Sequence, residues 1–166
     1  MADYSMQVSF NPSIALLEVQ FENLAKNIKS FKVPLDRMIR EVMIPHIQNQ
    51  FQTDGQGSWK PLAEFTVNKK GFDDILLETG KLEKEARFIK NWTVNGPAGT
   101  ATLDNLNQSV GYGYYHQTGF TNWVTGKVTA ARPWINPGED ELSKCIEVLA
   151  SWFSERTGET IEITFV

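Results

Sequence analysis

Leu142, Ile146, Leu149 and Phe153 recur at i, i+4, i+7 and i+11, with Cys145, Val148 and Trp152 on their flanks, and no other pattern constrains the chain as much. A helix with so broad an apolar stripe has to lie against a second layer of structure. Its predicted start is Asn136-Pro137-Gly138-Glu139, which supplies a capping side chain, a proline suited to the first helical position and a glutamate three residues after the cap. The acidic run Glu139-Asp140-Glu141 suits the positive end of the helix dipole, and Gly158 is the predicted stop.

What this helix packs on is indicated by the middle of the chain. Ala86, Phe88, Trp92 and Val94 fall on one side of an alternating stretch, and Gly96-Pro97-Ala98-Gly99 turns it back into Thr100 to Leu103. A second hairpin is expected over residues 120–131, Phe120 to Val124 against Lys127 to Ala131, turning at Thr125-Gly126. Together these strands predict an antiparallel sheet beneath the C-terminal helix.

Further strands and helices flank it. Tyr4, Met6, Val8 and Phe10 alternate with polar residues as in a half-buried strand, and Asn11-Pro12 opens a helical spacing (Leu16, Leu17, Leu24, Ile28) running to about Ser30. After Val33-Pro34, the residues Leu35, Met38, Ile39, Val42, Ile47 and Phe51 predict a second helix, which Pro45 should bend near Met43. Thr53-Asp54-Gly55-Gln56-Gly57-Ser58 is turn chemistry, and polar residues around Trp59, Leu62 and Phe65 extend a long loop over residues 53–71. Asp74 to Phe88 is expected to start helical at Ile75-Leu76-Leu77 and to be interrupted at Thr79-Gly80. Ile161, Ile163 and Phe165 alternate in a terminal strand over residues 160–166. This mixed order argues an α+β fold, with antiparallel hairpins packed against N-terminal helices and a C-terminal amphipathic helix, in a single domain over 1–166.

The bulk numbers fit one core: 166 residues with 41% apolar and 22% charged side chains is ordinary for a globular domain. No stretch reaches the ~20 apolar residues of a membrane span, and Met1-Ala2-Asp3-Tyr4 lacks the basic and apolar regions of a secretory leader, so a soluble protein made in a cytoplasm is expected. A net charge of −4 with no basic run removes the footprint of a sequence-specific nucleic-acid binder. The single Cys145 lies in an apolar helical pattern and reads as a small buried hydrophobe.

Catalytic patterns are absent from the sequence. There is no GxSxG, P-loop, HExxH or GxGxxG after a strand, and only His46 and His116 could act as imidazole bases. No cofactor or metal site is expected. Asp73 and Asp74 with Glu78 read as the acidic start of a helix rather than as a catalytic pair. Trp59, Tyr112 and Trp123 lie in loop or hairpin contexts, where exposed rings would serve a partner interface or a sugar platform.

Four islands then stand out by their order. Trp59-Lys60-Pro61-Leu62 precedes Thr66 and Lys69-Lys70-Gly71; Leu76-Leu77-Glu78-Thr79-Gly80-Lys81-Leu82 follows. Tyr112-Gly113-Tyr114-Tyr115-His116-Gln117-Thr118-Gly119 is the third island and Ala131-Arg132-Pro133-Trp134-Ile135 the fourth. In this order they resemble the virion morphogenesis family of tailed phages, which includes tail-completion proteins of Mu-like and P2-like phages. Its patterns are W-x-P-L…T…K, L-x-x-T-G-x-L, Y-A-x-x-H-Q-x-G and A-R-P-F-L. Glu85 stands where the family usually has Ser, and Gly113 where it has Ala.

The resemblance implies a tail-terminator-like structural protein, not an enzyme, that completes the tail or neck at the head–tail junction by ring assembly, with a hexamer favoured. It implies tail tube or sheath proteins and a head-closure or connector protein as partners, DNA passing through the ring, and a place in the virion after assembly in the host cytoplasm. Its motif residues fall on Trp59, Pro61, Leu62, Thr79, Gly80, Leu82, Tyr112, His116, Gln117, Gly119, Arg132 and Pro133. Beside it, the residues read as scaffold chemistry. Thr79 can cap, Gly80 permits positive φ, His116 suits a buried hydrogen-bonded role, and the planar fork of Arg132 suits a carboxylate within the subunit or on a neighbour. Candidate interface residues are Trp59, Phe65, Phe120, Trp123, Arg132 and Ile163. A head-closure or minor capsid role, a carbohydrate-binding module and a metal-dependent hydrolase at His116 stay open as other readings.

Overall fold

A computed structural model describes residues 30–104, 106 and 110–158. The predicted strand over residues 4–10, the first helix to about Ser30 and the strand over 160–166, with Ile163, lie outside the described residues. Within them the chain is mixed α+β: helices α1 (Lys32–Met38), α2 (Ile44–Gln52), α3 (Glu64–Lys70), α4 (Lys81–Arg87), α5 (Tyr112–Thr118) and α6 (Glu139–Thr157), with strands β1 (Trp92–Asn95), β2 (Thr100–Leu103), β3 (Phe120–Thr121) and β4 (Val128–Thr129).

The core follows from where the large apolar side chains can meet. Ile47 and Phe51 from α2, Leu82 and Ala86 from α4, and Trp59, Ile75, Val110 and Trp134 from the connections form one cluster. Leu82 and Ala86 are four apart and share the face of α4 that meets α2, and both are completely buried. Phe51 sits between two indoles, edge-on to Trp59 at 5.8 Å and tilted against Trp134 at 6.3 Å, a geometry that suits aromatic quadrupoles.

The proline positions act differently from the sequence expectation. Val33-Pro34 does not stand ahead of the second helix; it lies in the first turn of α1, where a missing N–H costs no hydrogen bond. Pro45 does perturb the helix. Residues Ile39–Met43 form a π-helical stretch immediately before it, and the wider i→i+5 bonding lets the ladder step past the absent donor.

Several predicted elements are corrected. The loop over 53–71 is tight turns to Ser58, an extended link, and then helix α3, ended by Gly71 in the left-handed conformation at φ 81°. Ile75-Leu76-Leu77 is not a helix start, and Asp73 and Asp74 cap no helix; the segment is a turn held by Asp54, whose Oδ1 accepts from Ile75 N–H at 3.3 Å. Ala86 belongs to α4, so the first hairpin is only β1 with β2, in register Trp92↔Leu103 through Asn95↔Thr100. The second hairpin is shorter than residues 120–131, pairing only Phe120↔Thr129 and Thr121↔Val128. Among the described residues the hairpins are two separate sheets rather than one.

Among the described residues, helix α6 packs chiefly on α1 and the π-helical stretch rather than on either sheet. Trp152, 2% exposed, and Phe153 meet Phe31 at ring distances of 5.8 and 6.3 Å. Leu142 is 53% exposed and Cys145 only half-buried, so the predicted stripe is not covered evenly by the described residues. Gly158 ends the helix at φ 73°. The start is shifted: Gly138 is the cap residue, and Glu141, not Glu139, reaches back to its N–H at 2.9 Å. Glycine has no side chain to return the bond, so only half of a capping box forms.

Glu141 also lies 3.3 Å from Nδ1 of the buried His46, too poorly aligned for a hydrogen bond but close enough to act electrostatically. Burial pushes the Glu141 carboxyl up, yet the Gly138 N–H and His46 together outweigh it and hold the group below its ordinary 4.5. A carboxylate depressed in the folded state adds stability above its unfolded pKa and loses it as pH falls through the folded one. Glu141→Gln keeps an acceptor oxygen but no charge. Thermal melts of the two proteins should therefore differ near neutral pH, with the variant lower, and converge below pH 4.5.

Candidate functional site

The four sequence islands are brought together by hydrogen bonds that leave few choices of partner. Trp59 is 4% exposed, and its Nε1 donates to Pro133 O at 3.2 Å, so the first island is fastened to the fourth. Arg132 reinforces that link: its Nε and Nη2 both donate to Lys60 O, at 3.1 and 2.9 Å. The fourth island is held to the third by Gln117. Its Oε1 accepts from Trp134 N and Ile135 N at 3.0 and 3.2 Å, while its Nε2 donates to Ile135 O at 2.7 Å. Arg132 N donates to His116 O, and Trp134 Nε1 to Gly113 O.

Contact between the second and third islands explains Gly113. A Cβ there would stand 2.5 Å from Cδ1 of the fully buried Leu82 and 3.5 Å from Trp134. An alanine here would press on Leu82, whereas the distance to Trp134 is ordinary van der Waals contact, so it is the Leu82 side chain that calls for glycine. Gly119 answers a backbone need: φ 73° with ψ 165° is accessible essentially to glycine alone. Gly80 caps α4 at φ 64°, with Thr79 Oγ1 accepting from Lys81 N at 3.4 Å.

Where the islands meet they line a half-open cavity of about 530 Å3. Leu62, Thr66 and Lys70 come from the first island and its extension, Leu76, Glu78, Thr79 and Lys81 from the second, Tyr112 and His116 from the third, and Arg132 from the fourth. Leu76 holds a left-handed backbone at φ 63°, a conformation that costs a non-glycine residue roughly 1 kcal/mol or more. Lys81 and Glu78 are spacer letters in the sequence patterns, and only the folded geometry brings them with Lys70 to one space. Four motif residues of the sequence reading line the cavity directly besides Leu62: Thr79, Tyr112, His116 and Arg132. Trp59, Leu82 and Gln117 build its frame.

Electrostatics in the cavity favour a neutral imidazole. Burial lowers the His116 pKa and the positive charge of Arg132 lowers it further. Burial likewise lowers that of Arg132, with Asp54 acting the other way, and burial followed by the Glu78 charge raises that of Tyr112. His116 is not the hydrogen-bonded residue expected from sequence, because its buried Nδ1 has no partner among the described residues. Arg132 binds a backbone carbonyl rather than a carboxylate. Among the described residues, no group of three or more His, Cys, Asp or Glu side chains converges as a metal site, and no helix is long and apolar enough to cross a membrane.

The candidate interface residues separate by burial. Trp59 and Arg132, at 4% and 9% exposure, are structural and cannot meet a partner by their full surface. Phe65 is 79% exposed and Trp123 93%, while Phe120 is 37% exposed beside Tyr115 and Tyr114. Ring contacts run from Tyr114 to Tyr115 to Phe120 at 5.9 and 5.8 Å, and from Phe120 to His116 at 6.4 Å, so the aromatic surface begins at the cavity wall. Trp123 is presented by an ordered turn: Asn122 Oδ1 accepts from Val124 N and Thr125 N at 2.9 and 3.0 Å.

Fold and site thus define an α+β domain with a cation-lined cavity bordered by an exposed aromatic surface. No protein-family model, curated protein or solved structure matches the chain.

The framework makes Gln117 the residue whose loss is felt most widely. Gln117→Ala removes three hydrogen bonds and leaves two backbone N–H groups and a carbonyl with no described protein partner, which should cost about 2 kcal/mol or more. Calorimetry should show a melting temperature lower by about 4–8 °C. Gly113→Ala should lose about 1–3 kcal/mol by overpacking against Leu82, although alanine is the better helix former.

Proposed function

We propose that this chain is a structural protein of a tailed-phage virion, one that completes the tail or neck at the head–tail junction by assembling into a ring. The observation carrying this reading is the convergence of the four islands. Residues that resemble separate pieces of the virion morphogenesis pattern serve one another as direct partners, Trp59 with Pro133, Arg132 with Lys60 and Gln117 with Trp134. Motif residues that serve one another as an interlocked scaffold suit a stoichiometric assembly part. Its partners in this reading are further copies of itself, in a hexamer by preference, together with tail tube or sheath proteins and a head-closure or connector protein.

The contact surface is assigned to the Phe120–Thr129 hairpin with Phe65, Tyr114 and Tyr115. A ring requires head-to-tail contacts between unlike patches, and exposed aromatics are the residues that anchor such contacts. A carbohydrate-binding reading fits these rings less well. Sugar platforms need coplanar faces, whereas Tyr114 and Tyr115 are inclined at 76° and Tyr115 and Phe120 at 67°.

Mass photometry of the purified chain, alone and mixed with tails from a phage lacking its gene, tests the assignment. Rings, or restored infectivity of those tails, are expected. Trp123→Ala should abolish both while changing stability by no more than about 0.5 kcal/mol, since the side chain is 93% exposed. A chain that stays monomeric and rescues no tails overturns the reading.

A further inference from the structure

The geometry points to a second property, independent of ring assembly: the 530 Å3 cavity is a binding site for an oxyanion, a carboxylate or phosphate carried on a short apolar stem. Arg132 carries the argument. It is nine-tenths buried, yet among the described residues no acidic side chain lies within ion-pair distance of it. Asp54 acts on it only from farther away, and one Asp54 oxygen is already taken by Ile75 N–H. A desolvated guanidinium is costly to keep without a counter-charge.

Its remaining donors are arranged for a ligand. Nε and Nη2 form one side of the fork and share Lys60 O, which leaves Nη1 and the outer N–H of Nη2 without a protein acceptor among the described residues. That end-on pair is the geometry in which arginine takes both oxygens of a carboxylate or phosphate.

The other walls agree in charge and donor type. Lys70 and Lys81 add two cations against the single carboxylate of Glu78. Lys70 is partly engaged, donating to Asp74 O at 2.7 Å and lying 4.4 Å from the Phe72 ring. Lys81 makes no ion pair among the described residues. The hydroxyl of Thr79 accepts from Lys81 N and keeps its own proton to donate, and Thr66 lines the same space. Leu62 and Leu76 supply apolar wall for a stem, and the volume lies in the range of small-ligand pockets, well above that of a bare phosphate. The oxyanion can come from a free small organic acid or from an Asp or Glu side chain of a protein segment.

A titration followed by 1H–15N NMR on the full chain separates these sources, using glutarate, inorganic phosphate and an acetylated Leu-Glu-Leu peptide, with sodium chloride at matched ionic strength as the control. Saturable shifts at Arg132, Lys81 and His116 are expected with at least one oxyanion and not with chloride. The His116 ring gives a second readout. Arg132, Lys70, Lys81, Glu78 and Tyr112 share its cavity, and a bound anion offsets the Arg132 charge, so the His116 pKa should rise on binding.

Lys81→Gln, at an exposed side chain, should weaken binding about threefold. Arg132→Gln should weaken it about tenfold or more. Should the Arg132 variant fail to fold, the Lys81 variant and the His116 titration decide. Saturation by glutarate or phosphate alone assigns a free anion, and saturation by the peptide alone a protein side chain. No saturation by any of the three, or affinity unchanged in the Lys81 variant with a fixed His116 pKa, overturns the site.

Discussion

Everything that gives this domain a site depends on the strand-like segment 131–135 being fixed to two partners distant in sequence. Backbone polar groups that leave water must find partners, and this segment belongs to neither sheet. Side chains replace the missing ladder. Gln117 serves Trp134 and Ile135, and Trp59 serves Pro133, while Arg132 reverses the pattern by donating to Lys60 O. Each of these bonds is modest, but leaving any one of them unmade strands a desolvated group, so the network holds as a unit. Trp134 can then fill the space between Phe51 and Gly113, and the core closes around it.

That dependence explains which features were legible in the sequence. Helix α6 could be read because its apolar period and Gly158 stop are local properties. Its start was displaced by two residues, since Asn136-Pro137 and Gly138 with Glu141 both resemble a helix entrance, and only the fold selects the second. Ile75-Leu76-Leu77 looked helical as an apolar run, yet Asp54 captures Ile75 N–H from 21 residues away and Leu76 adopts a left-handed backbone. A perturbation of the helix around Pro45 was legible because proline lacks an N–H wherever it occurs, and it takes the form of the π-helical stretch Ile39–Met43.

Burial of the aromatics was the least legible feature. Trp59 and Trp123 both follow turn-forming residues and look alike as sequence, but one is 4% and the other 93% exposed. The difference lies in Pro133, whose carbonyl meets the Trp59 indole across 74 positions. No local pattern encodes such a partner. The cavity was hidden for the same reason: nothing local to Lys70, Glu78 or Lys81 sets them beside Thr79, Tyr112, His116 and Arg132, because convergence on one space is a property of the assembled islands.

The two surfaces that result differ in physical character, and the frame that joins them is rigid. His116 sits at the junction, with its imidazole against Phe120 and Tyr112 and its side chain on the cavity wall. Its carbonyl takes Arg132 N–H, so the end of α5 and the start of the fourth island cannot shift independently. At the Gly119 joint, φ 73° with ψ 165° suits glycine, and a Cβ there would stand 2.9 Å from Ala131 N. The hairpin that follows Gly119 thus starts beside the same backbone bond that positions Arg132.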